Sequence, residues 1–209
     1  MKSRTEAKEG FGSKLSLDES FWNERYRSDQ TGWDMSQVSP PIKSYIDSIS
    51  DKKLRILIPG CGNAYEAAYL LDQGFDRVTL VDISSVLVNR LKEKFKGKSI
   101  RIIHSDFFEH EGKYDLIIEQ TFFCALDLTF RHRYVRKCFD LLDEHGKLAG
   151  LLFNVDFGFD HPPFGGKKED YQKLFEPFFE FIQFEICKNS IPQRMGNELF
   201  FEFVKKSNL

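Results

Sequence analysis

The residues whose types and spacing could do chemistry begin at Pro59-Gly60-Cys61-Gly62, directly after a short apolar run over residues 54–58. A second apolar run, residues 78–81, ends on Asp82. Two glycines let the backbone come close to a ligand where a Cβ would stand in the way. An acid about 20 residues further on, at the tip of the next strand, stands where a nucleotide-binding α/β fold accepts from ribose hydroxyls. A dinucleotide fingerprint also needs a small residue three places after the second glycine, and here that place is Tyr65. A phenol there argues against a pyrophosphate and for a nucleoside ligand without one, such as S-adenosylmethionine (SAM). Asp82 suits either ribose, and an ordinary strand-to-helix turn could use the same glycines.

Further along, Ser105-Asp106-Phe107-Phe108 follows a third apolar run, residues 100–104. A carboxylate beside an aromatic at that edge fits an adenine, one accepting from the exocyclic amine and the other covering the ring. The alternative is that Asp106 caps a turn and the phenylalanines are core. Glu119-Gln120-Thr121-Phe122-Phe123-Cys124-Ala125 follows residues 114–118, where doubly wound sheets line the reaction crevice. Glu119 could take a proton or orient an acceptor, and so could His161 in the Gly/Pro-rich loop 154–166; a structural or surface role is the alternative for each. The Asn/Asp-Pro-Pro-aromatic run that marks methylation of exocyclic amines is absent after residue 118. His161-Pro162-Pro163-Phe164 lies one strand too late to replace it.

The elements that position these residues alternate in type. Strands are expected at residues 54–58, 78–81, 100–104, 114–118 and 148–153, with helices over 64–73, 84–95 and 129–142 between them. Ser84 is placed to cap the second of those helices, and a turn at Gly146 precedes the fifth strand. A short helix over 168–175 and two more strands, 178–187 and 198–204, close the chain as a hairpin whose loop carries Arg194. The sum is a Rossmann-like, doubly wound, mostly parallel seven-stranded sheet with a C-terminal antiparallel hairpin and helices on both faces. Before it, Ser16 to Glu19 has the spacing of a capping box, and the helix it starts carries Trp22. Gly32-Trp33-Asp34 breaks that helix, and Pro40-Pro41 opens another over 42–49, with Ile42, Tyr45, Ile46 and Ile49 on one face. Both tryptophans therefore precede the sheet, where they could form a lid over the ligand or simply fasten the segment down. Residues 1–14 are expected to be flexible, and 15–209 to be one domain in which 15–50 is the helical lid segment.

The 209 residues, 41% hydrophobic, suffice for one well-cored domain, and the 22 phenylalanines must fill the core or line a pocket. A net charge of −2 with interspersed signs excludes a backbone-tracking nucleic-acid binder. Cys61, Cys124, Cys138 and Cys187 lack metal-ligand spacing, so no metal is expected, and they read as free thiols of a reducing compartment. No leader-like or membrane-spanning apolar run occurs, and a cytoplasmic protein is the default expectation.

Taken together, these stretches resemble a class I SAM-dependent methyltransferase, in particular the family of thiopurine S-methyltransferases and the halide/thiol methyltransferases of plants and bacteria. The resemblance is carried by Gly32-Trp33-Asp34 with Pro41-Ile42, Ile58-Pro59-Gly60-Cys61-Gly62, and Val81-Asp82-Ile83-Ser84. Asp115-Leu116-Ile117-Ile118 with Phe122-Phe123-Cys124-Ala125, and Ser190-Ile191-Pro192-Gln193-Arg194, complete it. It implies that Trp22 and Trp33 close over SAM, Gly60 lies under its methionine part with Gly62 also at the cofactor, Asp82 takes the ribose, and Asp106 with Phe107 meets the adenine. Gln120 stands where the family has a tyrosine that approaches the cofactor, and Asp18 where plant members have a further tryptophan. The implied reaction is methyl transfer to a small-molecule acceptor, in-line at a thiol, sulfide, halide or thiopurine sulfur. A carboxylate or hydroxyl acceptor and a non-catalytic SAM-binding role remain the alternatives. The helix-covered sheet leaves no obvious need for a partner subunit, so a monomer is expected.

Overall fold

The computed structural model describes residues 16–207. The expectation for residues 1–14 falls outside them. Seven strands form one sheet in the order β3-β2-β1-β4-β5-β7-β6, with β1 Ile56–Pro59, β2 Val78–Asp82, β3 Ile100–His104, β4 Tyr114–Gln120, β5 Leu142–Phe153, β6 Phe179–Ile186 and β7 Glu198–Lys205. The first five are mutually parallel, and β7 runs antiparallel between β5 and β6. Strand order reverses between β1 and β4, which makes their carboxyl ends the crevice of the fold.

Alternation along the buried strands supplies a core on each face. Ile56, Ile58, Val78, Leu80, Leu116 and Ile118 pack toward α1 Glu19–Arg27, α2 Pro40–Ser48, α3 Tyr65–Asp72 and α4 Ser85–Lys94. Leu57, Val81, Ile117, Leu148 and Leu152 point the other way, onto α5 Arg131–Leu141 and α6 Lys168–Phe175. Phenylalanine fills much of that second core: Phe123, Phe175, Phe179, Phe201 and Phe203 are essentially inaccessible. All four cysteines are buried and unpaired. No helix among the described residues is long and apolar enough to cross a membrane.

Three local expectations are corrected. The N-cap of α1 is Asp18, whose Oδ1 accepts the Phe21 amide at 3.1 Å, while Ser16 donates its hydroxyl to Asp18 Oδ2 at 2.8 Å. The carboxylate takes the cap because Asp18 directly precedes the helix, in reach of its first amides, whereas Ser16 lies two residues further back. Secondly, β4 runs on through Glu119 and Gln120, because β5 continues opposite them, Glu119 facing Gly150 and Gln120 facing Leu151. Thirdly, α5 passes directly into β5 at Leu142; the expected Gly146 turn is an irregular stretch of that strand, with His145 at φ +59° and the register shifting against Tyr114 and Leu116.

Candidate active site

The turn after β1 is built from left-handed residues: Gly60 at φ +54°, Gly62 at +50° and Ala64 at +54°. Gly60 donates its amide to the Val81 carbonyl at 2.8 Å, which ties the turn to β2. A Cβ on Gly60 would lie 2.1 Å from Cδ2 of Phe122, so glycine is required both by φ and by that ring. Around Gly62 the nearest atoms are the Trp33 indole nitrogen and the Tyr26 hydroxyl. Asp82, at the end of β2, is 8% exposed and accepts the Ser84 amide at 2.8 Å. Burial pushes its carboxyl up to about 6, although the Ser84 and Gly62 amides oppose the shift. A buried acid thus faces the glycine turn, held by backbone amides.

The two tryptophans meet edge to face, their centroids 5.6 Å apart, and Trp33 meets Tyr26 in the same way at 5.8 Å. The segment is fixed at several points. Asn23 on α1 accepts the Ser84 hydroxyl at 2.8 Å and the Val86 amide at 3.1 Å, and donates to Ser85 Oγ at 3.1 Å, so α1 docks on the start of α4. Asp34 Oδ2 accepts from the Asn63 amide and from the Tyr65 hydroxyl. The tyrosine that argues against a pyrophosphate therefore also holds the tryptophan segment. On its other side the Trp33 carbonyl accepts Arg194 Nη2 at 3.0 Å.

At the end of β4, Glu119 is fully buried and its carboxylate is spoken for. Oε1 accepts the Phe122 and Phe123 amides at 2.7 and 2.9 Å, and Oε2 accepts the Tyr134 hydroxyl at 2.6 Å. Burial pushes this carboxyl up to about 7 against those three donors. Its role in the structure is to brace the turn that sets the Phe122 ring on Gly60. Beside it Gln120 Oε1 is buried without a hydrogen-bond partner. The loop 154–166 is joined to this turn, since the Phe164 amide donates to the Cys124 carbonyl at 2.7 Å and Arg131 Nη2 donates to the Gly165 carbonyl at 2.7 Å.

The structure brings together Trp33, Gly62 and Asp82, and separately Gly60 with the Glu119-braced turn. It leaves others apart. His161 is exposed; its described contacts are the neighbouring Pro162 carbonyl, 2.8 Å from Nδ1, and the Phe159 ring stacked at 5.0 Å. Asp106 is exposed and turns Oδ1 onto the Phe108 amide at 2.8 Å, while Phe107 is enclosed by Phe108, Phe122 and Tyr134 at 4% exposure. The packing thus makes Phe107 a core residue and leaves the half-buried Phe108 at that edge. Tyr26, Asn23, Asn63 and Tyr134 escaped the sequence reading. Asn63, immediately after the glycines, carried a positional signal; the other three depend on contacts between distant segments.

SAM presents donors at its ammonium and ribose, and the buried Asp82 carboxyl and the orphaned Gln120 Oε1 offer matching acceptors. A parallel sheet with this order, a glycine turn at its switch point and a closing antiparallel pair is the fold of class I SAM-dependent methyltransferases. Accordingly, the N1-methyltransferase for 1,6-didemethyltoxoflavin from Burkholderia thailandensis, solved with S-adenosylhomocysteine, superposes with a TM-score of 0.75 at 16% identity, covering 99% of this chain and 94% of that one. Residues 17–199 match the family model for thiopurine S-methyltransferase. A probable thiol methyltransferase 2 of Arabidopsis thaliana is 30% identical over 194 residues, 89% of this chain and 85% of that protein. Thiocyanate methyltransferase 1 of the same plant is 25% identical over 87% of this chain and 83% of its own length. The chain belongs to the thiopurine S-methyltransferase family and is a SAM-dependent methyltransferase.

Proposed function

We propose that this enzyme methylates a small sulfur or halide nucleophile: a thiol, bisulfide, a halide or a thiopurine sulfur. The observation that carries the reading is that, among the described residues, neither acid–base candidate offers a free base beside the crevice. Both Glu119 oxygens are engaged by three donors, and His161 stays on an exposed loop. An alcohol would need a base there, whereas a halide needs none and a thiol with a pKa near 8.5 is already partly ionised at neutral pH. The names of the plant relatives, thiol and thiocyanate methyltransferase, point the same way.

When bound, SAM supplies an electrophilic methyl group on a sulfonium. In this reading Asp82 accepts from its ribose, the turn of Gly60 and Gly62 lies under its methionine part, and Gln120 Oε1 accepts from its ammonium. Asp106 meets the adenine amine, with Phe108 in place of Phe107 as the adjacent ring. Trp22 and Trp33 close the site. Half-buried Phe122, Phe153 and Phe157 wall the acceptor side, while Phe123 and Phe164 belong to the core. An aromatic, water-poor crevice favours a reaction in which opposite charges neutralise. Residues 15–209 act as one domain with 15–50 as its lid. We further infer a monomer, since helices cover both sheet faces, and a cytoplasmic setting, in keeping with four buried unpaired thiols.

The test is release of S-adenosylhomocysteine from SAM, read by mass spectrometry, with bisulfide, iodide, thiophenol, a thiopurine, phenol and benzoate offered separately. Product with any of the first four, and none with the last two, is expected. Turnover of phenol or benzoate alone would overturn the reading.

A further inference from the structure

Arg194, in the loop between β6 and β7, ties Trp33, which lies outside the sheet, to the paired ends of β5 and β7, where Phe153 stands opposite Glu198. Its Nη2 donates to the carbonyl of Trp33, its Nη1 donates to Oε1 of the buried Glu198 at 3.3 Å, and its guanidinium lies over the Phe153 ring, 5.4 Å from the centroid. Phe153 is the last residue of β5 and the entry to loop 154–166, and its ring meets Phe157 edge to face at 5.1 Å. The backbone adds a second tie, since the Asn154 amide donates to the Asn197 carbonyl at 2.8 Å. The opposite flank of the same tryptophan is held through Asp34 by Asn63 and Tyr65, which stand at the glycine turn.

Trp33 is thus clamped between the cofactor turn on one side and the acceptor-side loop on the other. An arginine suits the second clamp because its planar fork can serve a carbonyl, a carboxylate and a ring face at once, which lysine cannot. Its side chain is 13% exposed and its partner's 3%, so solvent screens the pair little.

We infer that Arg194 is a positioning residue that couples lid closure over the cofactor to the ordering of loop 154–166, so that a bound cofactor prepares the acceptor side. The inference rests on Trp33 being a lid residue and on loop 154–166 facing the acceptor. Both sites bias one shared element, the Trp33 carbonyl with its guanidinium partner, which is the physical requirement for coupling. The coupling follows from the clamp at Trp33 and needs no knowledge of which acceptor is used.

Hydrogen-exchange mass spectrometry of the full chain, with and without S-adenosylhomocysteine, tests it. In the wild type the product should slow exchange both in residues 17–34 and in residues 154–166, several-fold in each. In Arg194→Lys, which keeps the charge beside Glu198, the protection of 17–34 should persist while that of 154–166 is lost. The double variant Arg194→Gln with Glu198→Gln removes the buried pair together and should behave the same way, which guards against a fold defect from one unpaired charge. Protection of 154–166 that survives in both variants, or is absent in the wild type while 17–34 responds, would overturn the coupling alone. A wild type in which only the glycine turn and α4 respond would remove the lid assignment as well.

Discussion

Replacing Asp82 by Ala should weaken cofactor binding by an amount the structure lets us bound. The carboxylate is buried at the end of β2, already accepts the Ser84 amide, and faces the glycine turn. Hydrogen bonds to a charged acceptor contribute about 1.5–3 kcal/mol, so losing one such contact to a ribose hydroxyl corresponds to about 10- to 150-fold in Kd. The same burial that raises the carboxyl to about 6 gives the effect a pH signature. Ribose hydroxyls require the ionised acid, so below pH 6 binding must first expel a proton, and affinity should fall about tenfold per pH unit. The sign for stability is opposite. An acid whose folded pKa lies above its unfolded value of 3.8 contributes stability that is full below 3.8 and lost as pH rises through about 6. Calorimetric titration with S-adenosylhomocysteine between pH 5 and 8 reads the first effect directly. A variant that binds within twofold of wild type, with the wild type flat across pH 6, would show that the ribose lies elsewhere.

The other variants probe the surrounding frame. Gly60→Ala places a methyl 2.1 Å from the Phe122 ring at a φ of +54°, a strain of about 1–3 kcal/mol, and should lower Tm by several degrees and SAH affinity at least about tenfold; a wild-type melt would refute the tight approach. In Asn23→Ala the start of α4 loses its hold on α1, about 1–3 kcal/mol of docking, so limited proteolysis within residues 19–27 should accelerate while the sheet's melting hardly moves. Equal cleavage rates would count against that docking. For Glu119→Gln, one carbonyl oxygen can still serve the Phe122 and Phe123 amides and the NH2 can face Tyr134, so kcat/KM should stay within about threefold for iodide and for thiophenol alike. A loss confined to thiophenol would mark Glu119 as a base after all. Because burial raises Glu119 to about 7, its contribution is full below its unfolded value of 4.5 and declines through pH 7; urea unfolding of the Gln variant should lack that decline.

What the sequence disclosed was governed by local signals. The strands ending at Asp82 and His104 were legible because apolar runs there stop at turn or capping residues, and Ser84 was legible as a cap because the helix follows it at once. Glu119 and Gln120 read as loop because what keeps them extended is the opposing Gly150 and Leu151, about thirty residues away. Asp18 and Ser16 are both competent caps, and only the geometry of the first turn decides between them. The acid at the end of β2 could be singled out from spacing alone. The bonds that surround Glu119 could not, since Tyr134 comes from a helix on the far side of the turn. Phe107 shows the same limit from the other direction: an aromatic beside an acid looks like a ligand platform until its neighbours Phe122 and Tyr134 are known to enclose it.

The placement of indole in this chain has a practical consequence. Its two tryptophans sit 5.6 Å apart on the segment above the glycine turn, and there are no others. Emission excited at the red edge of indole absorption therefore reports on that one segment. If that segment closes over the cofactor as proposed, its native emission gauges occupancy with no dye, tag or isotope, and stopped-flow would time the closure separately from methyl transfer.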